Sequence, residues 1–138
     1  MIALTRRYRF PAAHVLRSQR LSDAENARVY GKCANPAGHG HDYGLEVTVS
    51  GPVHPETGEI VPAETLDAIV EERVLRRLGH RTLNDDPLFA RDVPTAENIA
   101  VVIHDELAGP LEAHAGVRLV GVRVRETRRN FFDYGDPS

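Results

Sequence analysis

Hydrophobic and polar positions alternate from the first residues of the chain. Ile2, Leu4, Tyr8 and Phe10 share one parity, Arg7 and Arg9 hold the other, and Arg6 is the exception. This is the pattern of a half-exposed strand, and it is expected to end at Pro11. Alternation returns in GLEVTVSG at 44–51, where Leu45, Val47 and Val49 face one way and Glu46 and Thr48 the other. A second strand is therefore predicted, closed by Gly51, Pro52, Pro55 and Gly58. The period then lengthens. In PAETLDAIVEERVLRRLG, Leu66, Ile69, Val70, Val74 and Leu78 fall at helical spacing, with Pro62 near the start and Gly79 at the stop. A second helix is predicted from Thr95, whose hydroxyl can cap it, with Ile99, Val102, Ile103 and Leu107 inward. The intervening HRTLNDDPLFARDVP reads as a loop. In VRLVGVRVRE, Val120, Val122 and Val124 share a face with Glu126, while Arg123 and Arg125 point away. Two strands, two helices and a closing strand predict an α+β class, with the helices packed on one face of an antiparallel sheet. No repeat or linker interrupts residues 1–138, so one domain is expected.

Composition narrows the partners. The 138 residues are 41% hydrophobic and 27% charged, enough for a sizeable core. A formal net charge of -3 argues against nucleic acid or a membrane surface, both of which call for a basic face. No apolar run reaches transmembrane length, and MIALTRRYRF alternates where a secretion signal would be continuously apolar. A cytoplasmic protein is expected. The single cysteine, Cys33, cannot form an internal disulfide. It is left as an apolar filler, a metal ligand or a reactive thiol.

Chemistry concentrates in GKCANPAGHGHDYGLEVTV, residues 31–49. On extended chain His39 and His41 leave the same face, and Gly40 keeps the opposite side clear. Two imidazoles so placed begin a zinc site, which takes tetrahedral nitrogen or sulfur ligands at about 2 Å. His14 is the best third ligand, because FPAAH continues the parity of the first strand and pairing can bring it alongside. An isolated His-x-His is a weak signal. His54, His104 and His114 lie in a proline-flanked turn, on a helix and in a small-residue loop, and read as solvated or structural.

From Tyr30 to Gly51 the string YGKCANPAGHGHDYGLEVTVSG resembles the signature of the 6-pyruvoyl-tetrahydropterin synthase family, which includes the bacterial 6-carboxytetrahydropterin synthases. FPAAH ending at His14, GHRTLND around His80, PTAEN at 94–98 and RVRET ending at Thr127 follow in the family's order. The resemblance covers nearly the whole chain. It implies the tunnelling fold, a four-stranded antiparallel sheet with two helices, whose subunits form barrel-shaped trimers and then a hexamer. It also implies a catalytic Zn2+ held by His14, His39 and His41, with Cys33 as catalytic base. His80 falls on the family's second catalytic position. Glu126 falls on the carboxylate that grips the pterin ring, and Thr95 and Glu97 on the Thr-x-Glu that helps hold it. The implied substrate is 7,8-dihydroneopterin triphosphate, converted with loss of triphosphate.

Those roles are chemically coherent. Three neutral imidazoles leave zinc an open position for the side-chain hydroxyls of a pterin. A thiolate near the metal but not bound to it suits proton removal, favoured by the charge of Lys32 and of the zinc. Glu126, facing inward, would require a matching donor pair, which the amidine-like edge of a pterin offers; a strand-end charge reaching water is the plain alternative.

Two features depart from or divide the family. The usual aspartate before the second histidine is Gly79 here, itself a natural helix stop, so Asp85, Asp86 or Asp105 is expected to supply the carboxylate. Failing that, the chain would be a pterin-binding protein with impaired catalysis, or a structural zinc domain with Cys33 as fourth ligand. The five residues between Cys33 and His39 give a loop of the length found in pyruvoyl-forming members. The Arg- and Ala-rich composition fits a GC-rich bacterial genome, where a 6-carboxy product would be wanted.

Overall fold

The computed structural model describes residues 1–135. Strand β1 spans Ile2–His14, β2 His39–Gly51, β3 Arg118–Arg125 and β4 Phe131–Gly135. They form one antiparallel sheet in the order β1-β2-β3-β4. Helix α1 is Asp23–Tyr30. Helix α2 is continuous through Ala63–Val70, a π-helical Glu71–Leu75 and Arg76–Leu78. Helix α3 is Ala96–Glu112.

The core lies between one face of the sheet and the long helices. Leu45, Val47 and Val49 of β2 and Leu119, Val122 and Val124 of β3 meet Leu66, Val70, Val74 and Leu78 of α2 and Ile99, Ile103, Leu107 and Leu111 of α3. Each of these side chains contributes about 1.5–3 kcal/mol by leaving water. Helix α3 lies over β3 and β4, and α2 packs beside it. Arg6, the exception in the first strand, holds an inward parity because it reaches across to α2. Its guanidinium makes two bonds to Asp67, at 2.8 and 2.7 Å, and the Tyr8 hydroxyl donates to the same carboxylate at 2.6 Å.

The structure departs from the sequence-based expectations in four places. β1 does not stop at Pro11 but pairs with β2 as far as His14↔His39; β1 is an edge strand, where a residue lacking an N–H is tolerated. Val120 does not share the inner face. The register shifts between Thr48 and Val49, pairing Thr48 with Gly121 and Val49 with Leu119, so Leu119 turns inward and Val120 is the extra residue of a bulge. Helix α1 and strand β4 were not expected from periodicity. Ser22 caps α1 and Glu25 reaches back to the Ser22 amide, a capping box legible in the sequence SDAE. Buried Asn26 then ties the preceding loop together, accepting from the Ser18 amide and donating to carbonyls of Ser18, Leu21 and Ser22. Finally, the loop between α2 and α3 contains two short 3-10 turns, Leu83–Asp85 and Pro87–Phe89.

That loop runs beside the free edge of β1. The His80 amide donates to the Pro11 carbonyl at 2.6 Å and the Ala13 amide to the Arg81 carbonyl at 2.9 Å. Asn84 bonds both backbone groups of Val15, each at 2.8 Å. The end of β1 that carries His14 is thus pinned on both sides.

Candidate active site

The β1–β2 register sets His14 directly opposite His39, with His41 one inward position further along β2. The ring centroids are 4.5 Å apart for His14 and His39, 5.2 Å for His14 and His41, and 4.9 Å for His39 and His41. One nitrogen from each ring lies within 4.8 Å of the other two. His14 is fully buried and its tautomer is fixed: Nδ1–H donates to the Pro94 carbonyl at 2.8 Å, which leaves Nε2 bare. That bare nitrogen sits 3.0 Å from His39 Nε2. Among the described residues, His39 Nδ1 is buried with no hydrogen-bond partner.

Burial disfavours the charged form of His14 and of His39. Burial, reinforced by His39 and His41, pulls the His14 pKa down to about 4 against the opposing hydrogen bond to Pro94. Burial first and His41 second also lower His39, with the charge of Glu126 pulling the other way. Neutral, converging nitrogens with a fixed tautomer are what a divalent metal requires. The donor set therefore fits a zinc ion, whose tetrahedral ligand nitrogens would stand roughly 3.3 Å apart.

The other expected residues gather unequally around this trio. Cys33 lies in a one-turn 3-10 helix, Gly31–Ala34, entered through Gly31 at φ 56. It is half-buried, and its carbonyl accepts from the Leu16 amide at 2.7 Å. Its sulfur lies outside the cluster of ligand atoms, so the geometry offers no fourth-ligand role. Glu126 follows β3 on the inward parity, half-buried, with its charge felt at His39 and Tyr43. Thr95 caps α3 by accepting from the Asn98 amide at 3.2 Å, and its neighbour Pro94 supplies the carbonyl that holds His14. Glu97 is exposed in the first turn of α3, with no hydrogen bond to the trio. His80 is exposed and lines a cavity of about 430 Å³ with His41, Asp42, Arg81 and Thr82.

None of the three aspartates expected to partner His80 bonds to it. Asp86 is engaged by Arg77, at 3.0 Å through two nitrogens, and Asp105 lies beside His104. Asp42, which pairs with Arg9, is the carboxylate that shares the His80 cavity. Gly79 is not a left-handed helix cap, having φ -65, whereas His80 itself takes φ 61. Sequence reasoning also passed over Tyr43, which is fully buried against the trio, although its inward parity with His39 and His41 was there to be read.

The fold and the site together define an α+β protein whose histidine trio can hold a divalent metal. Residues 3–137 match the family model described as 6-pyruvoyl tetrahydropterin synthase, and the chain belongs to that family. The 6-pyruvoyl tetrahydrobiopterin synthase of Poecilia reticulata is 45% identical over 95% of this chain and 88% of its own length. The human protein of the same name is 44% identical over 95% of this chain and 89% of its own. The solved structure of Caenorhabditis elegans 6-pyruvoyl tetrahydropterin synthase superposes with a TM-score of 0.90 at 36% identity, covering 97% of this chain and 94% of that one.

Proposed function

We propose that this chain is a zinc-dependent carbon-oxygen lyase that converts 7,8-dihydroneopterin triphosphate to 6-pyruvoyl-tetrahydropterin, releasing triphosphate. The observation that carries this reading is the convergence of His14, His39 and His41 nitrogens within 4.8 Å in a chain of this family. The 6-pyruvoyl branch is favoured by the names of the similar proteins and by the loop of five residues from Cys33 to His39.

His14, His39 and His41 would hold the zinc, which supplies Lewis acidity to the hydroxyls of the substrate side chain. Cys33, outside the ligand set, takes the proton from the side-chain carbon beside those hydroxyls. His80 returns a proton from the cavity it shares with His41. Glu126 accepts the paired N–H donors of the pterin edge, and Thr95 and Glu97 flank the ring. The N-cap bond of Thr95 keeps the start of α3, and with it the Pro94 carbonyl, in place behind His14. The cytoplasm is the compartment inferred, where a free thiol at Cys33 stays reduced. Association into trimers, and of two trimers into a hexamer, is what the resemblance to the family implies, and the outer edges of β1 and β4, largely unpaired among the described residues, leave room for pairing between subunits.

The test is anaerobic incubation of the zinc-loaded protein with 7,8-dihydroneopterin triphosphate, with products identified by mass. A 6-pyruvoyl product with released triphosphate is expected. A 6-carboxy product would move the chain to the other branch, and unchanged substrate would overturn the reading as an enzyme.

A further inference from the structure

Tyr43 is 0% exposed and stacks on Phe10, its cross-strand partner, with ring centroids 5.3 Å apart. It also meets the rings of His14 and His41 edge-on, at 6.1 and 5.5 Å. Its hydroxyl lies 3.2 Å from His14 Nδ1. That nitrogen carries the proton donated to Pro94, so the phenol oxygen stands as a second acceptor for the same N–H. Holding the Nδ1 side of a ligand imidazole in this way fixes both its tautomer and the rotation of its ring.

A packing role alone does not account for the hydroxyl. Phenylalanine would stack on Phe10 equally well and would spare the chain a buried O–H, a group that costs free energy unless it finds a partner. The bond to His14 is the only one the hydroxyl makes among the described residues. The carbonyl of Pro94 gives the Nδ1–H one acceptor, from the segment before α3. The Tyr43 hydroxyl adds a second from β2, so the buried ring is held on its Nδ1 side by two different elements.

We propose that Tyr43 is a positioning residue for the metal centre, whose hydroxyl, with the Pro94 carbonyl, holds His14 so that Nε2 faces His39 and His41. The inference rests on the reading of the trio as a zinc site, and its experiment separates the two. Zinc affinity is measured by competition with a chromophoric chelator for the unaltered chain and for Tyr43→Phe, alongside the visible absorption of both proteins loaded with Co2+. The unaltered chain is expected to bind zinc, and Tyr43→Phe to bind about 10- to 100-fold more weakly, the usual effect of losing such a partner. The Co2+ spectrum of the variant should change in band position or intensity, while the melting temperature of the metal-free variant stays close to that of the metal-free parent. Equal zinc affinity and an unchanged Co2+ spectrum would overturn the proposal, as would a lowered metal-free melting temperature with intact affinity, which marks packing alone. Absence of zinc binding by the unaltered chain would instead remove the metal reading and the proposal with it. Tyr43→Leu, which removes ring and hydroxyl together, sets the size of the packing effect.

Discussion

Gly79 stands where the family resemblance implies an aspartate, and the backbone there leaves little room for a side chain. A Cβ at residue 79 would lie 2.5 Å from the Leu75 carbonyl oxygen, a backbone atom that cannot swing aside. The next residue, His80, has φ 61, alone among the described non-glycine residues in the left-handed region. Gly79→Ala is therefore expected to destabilise the fold by about 1–3 kcal/mol, measured by urea denaturation. Gly79→Asp should behave no better, so the missing carboxylate is not to be restored at that position; full stability of the Gly79→Asp variant would refute this account. Cys33 belongs to the same scale. Because its sulfur stands apart from the ligand nitrogens, Cys33→Ala should retain zinc while turnover falls about 100- to 10,000-fold, the range of a lost general base. Loss of zinc from that variant, by elemental analysis, would place the thiol on the metal after all.

Elements are joined by contacts that periodicity does not show. Arg6 and Tyr8 of β1 converge on Asp67 of α2, and their hydrogen bonds hold its carboxyl below the usual range. The folded value is thus depressed relative to the unfolded one near 3.9. The sign follows: the contribution is fully present above about pH 4 and fades as pH falls through the folded value. Asp67→Asn should melt below the parent at pH 7, with the gap closing toward pH 3. The gap should be small and shrink in high salt, since the Arg6 and Asp67 side chains are 40% and 38% exposed. A gap that is constant with pH would assign the effect to shape and not to charge. The long strands were legible from alternation, but their ends were not. Pro11 looked like a terminus because proline withholds a ladder donor, yet it sits on an edge strand where its carbonyl receives His80 instead. The bulge at Val120 was invisible for a related reason, since a strand's parity flips without any change in residue type.

For the whole molecule, the trio stands at one end of the sheet, outside the aliphatic core between sheet and helices. Removing the metal should therefore lower the melting temperature in proportion to its binding, while the chain still unfolds cooperatively with an unchanged far-UV circular dichroism spectrum. Collapse of the fold on chelation would instead mark a structural zinc, the behaviour of small metal-stapled domains. No helix among the described residues is long and apolar enough to cross a membrane. Among the described residues, the sheet leaves β1 and β4 unpaired along most of their outer edges. Exposed Ile2, Phe131 and Tyr134 lie on those edge strands; if the proposed trimer-based assembly holds, native mass spectrometry finds multiples of three, and a monomer would refute it.

By itself the sequence determined the two long helices, the two long strands and the parity that set His14, His39 and His41 on one face, because side-chain direction in a strand repeats every two residues whatever lies around it. Its separated motifs also carried the family. Tertiary structure alone decided that His14 is held by the carbonyl of Pro94, 80 residues away, and by the Tyr43 hydroxyl, and that Asp42 enters the cavity of His80 while Asp86 is claimed by Arg77. Contacts between groups far apart in the chain follow from how elements pack, and local patterning encodes the elements without encoding which of their atoms meet.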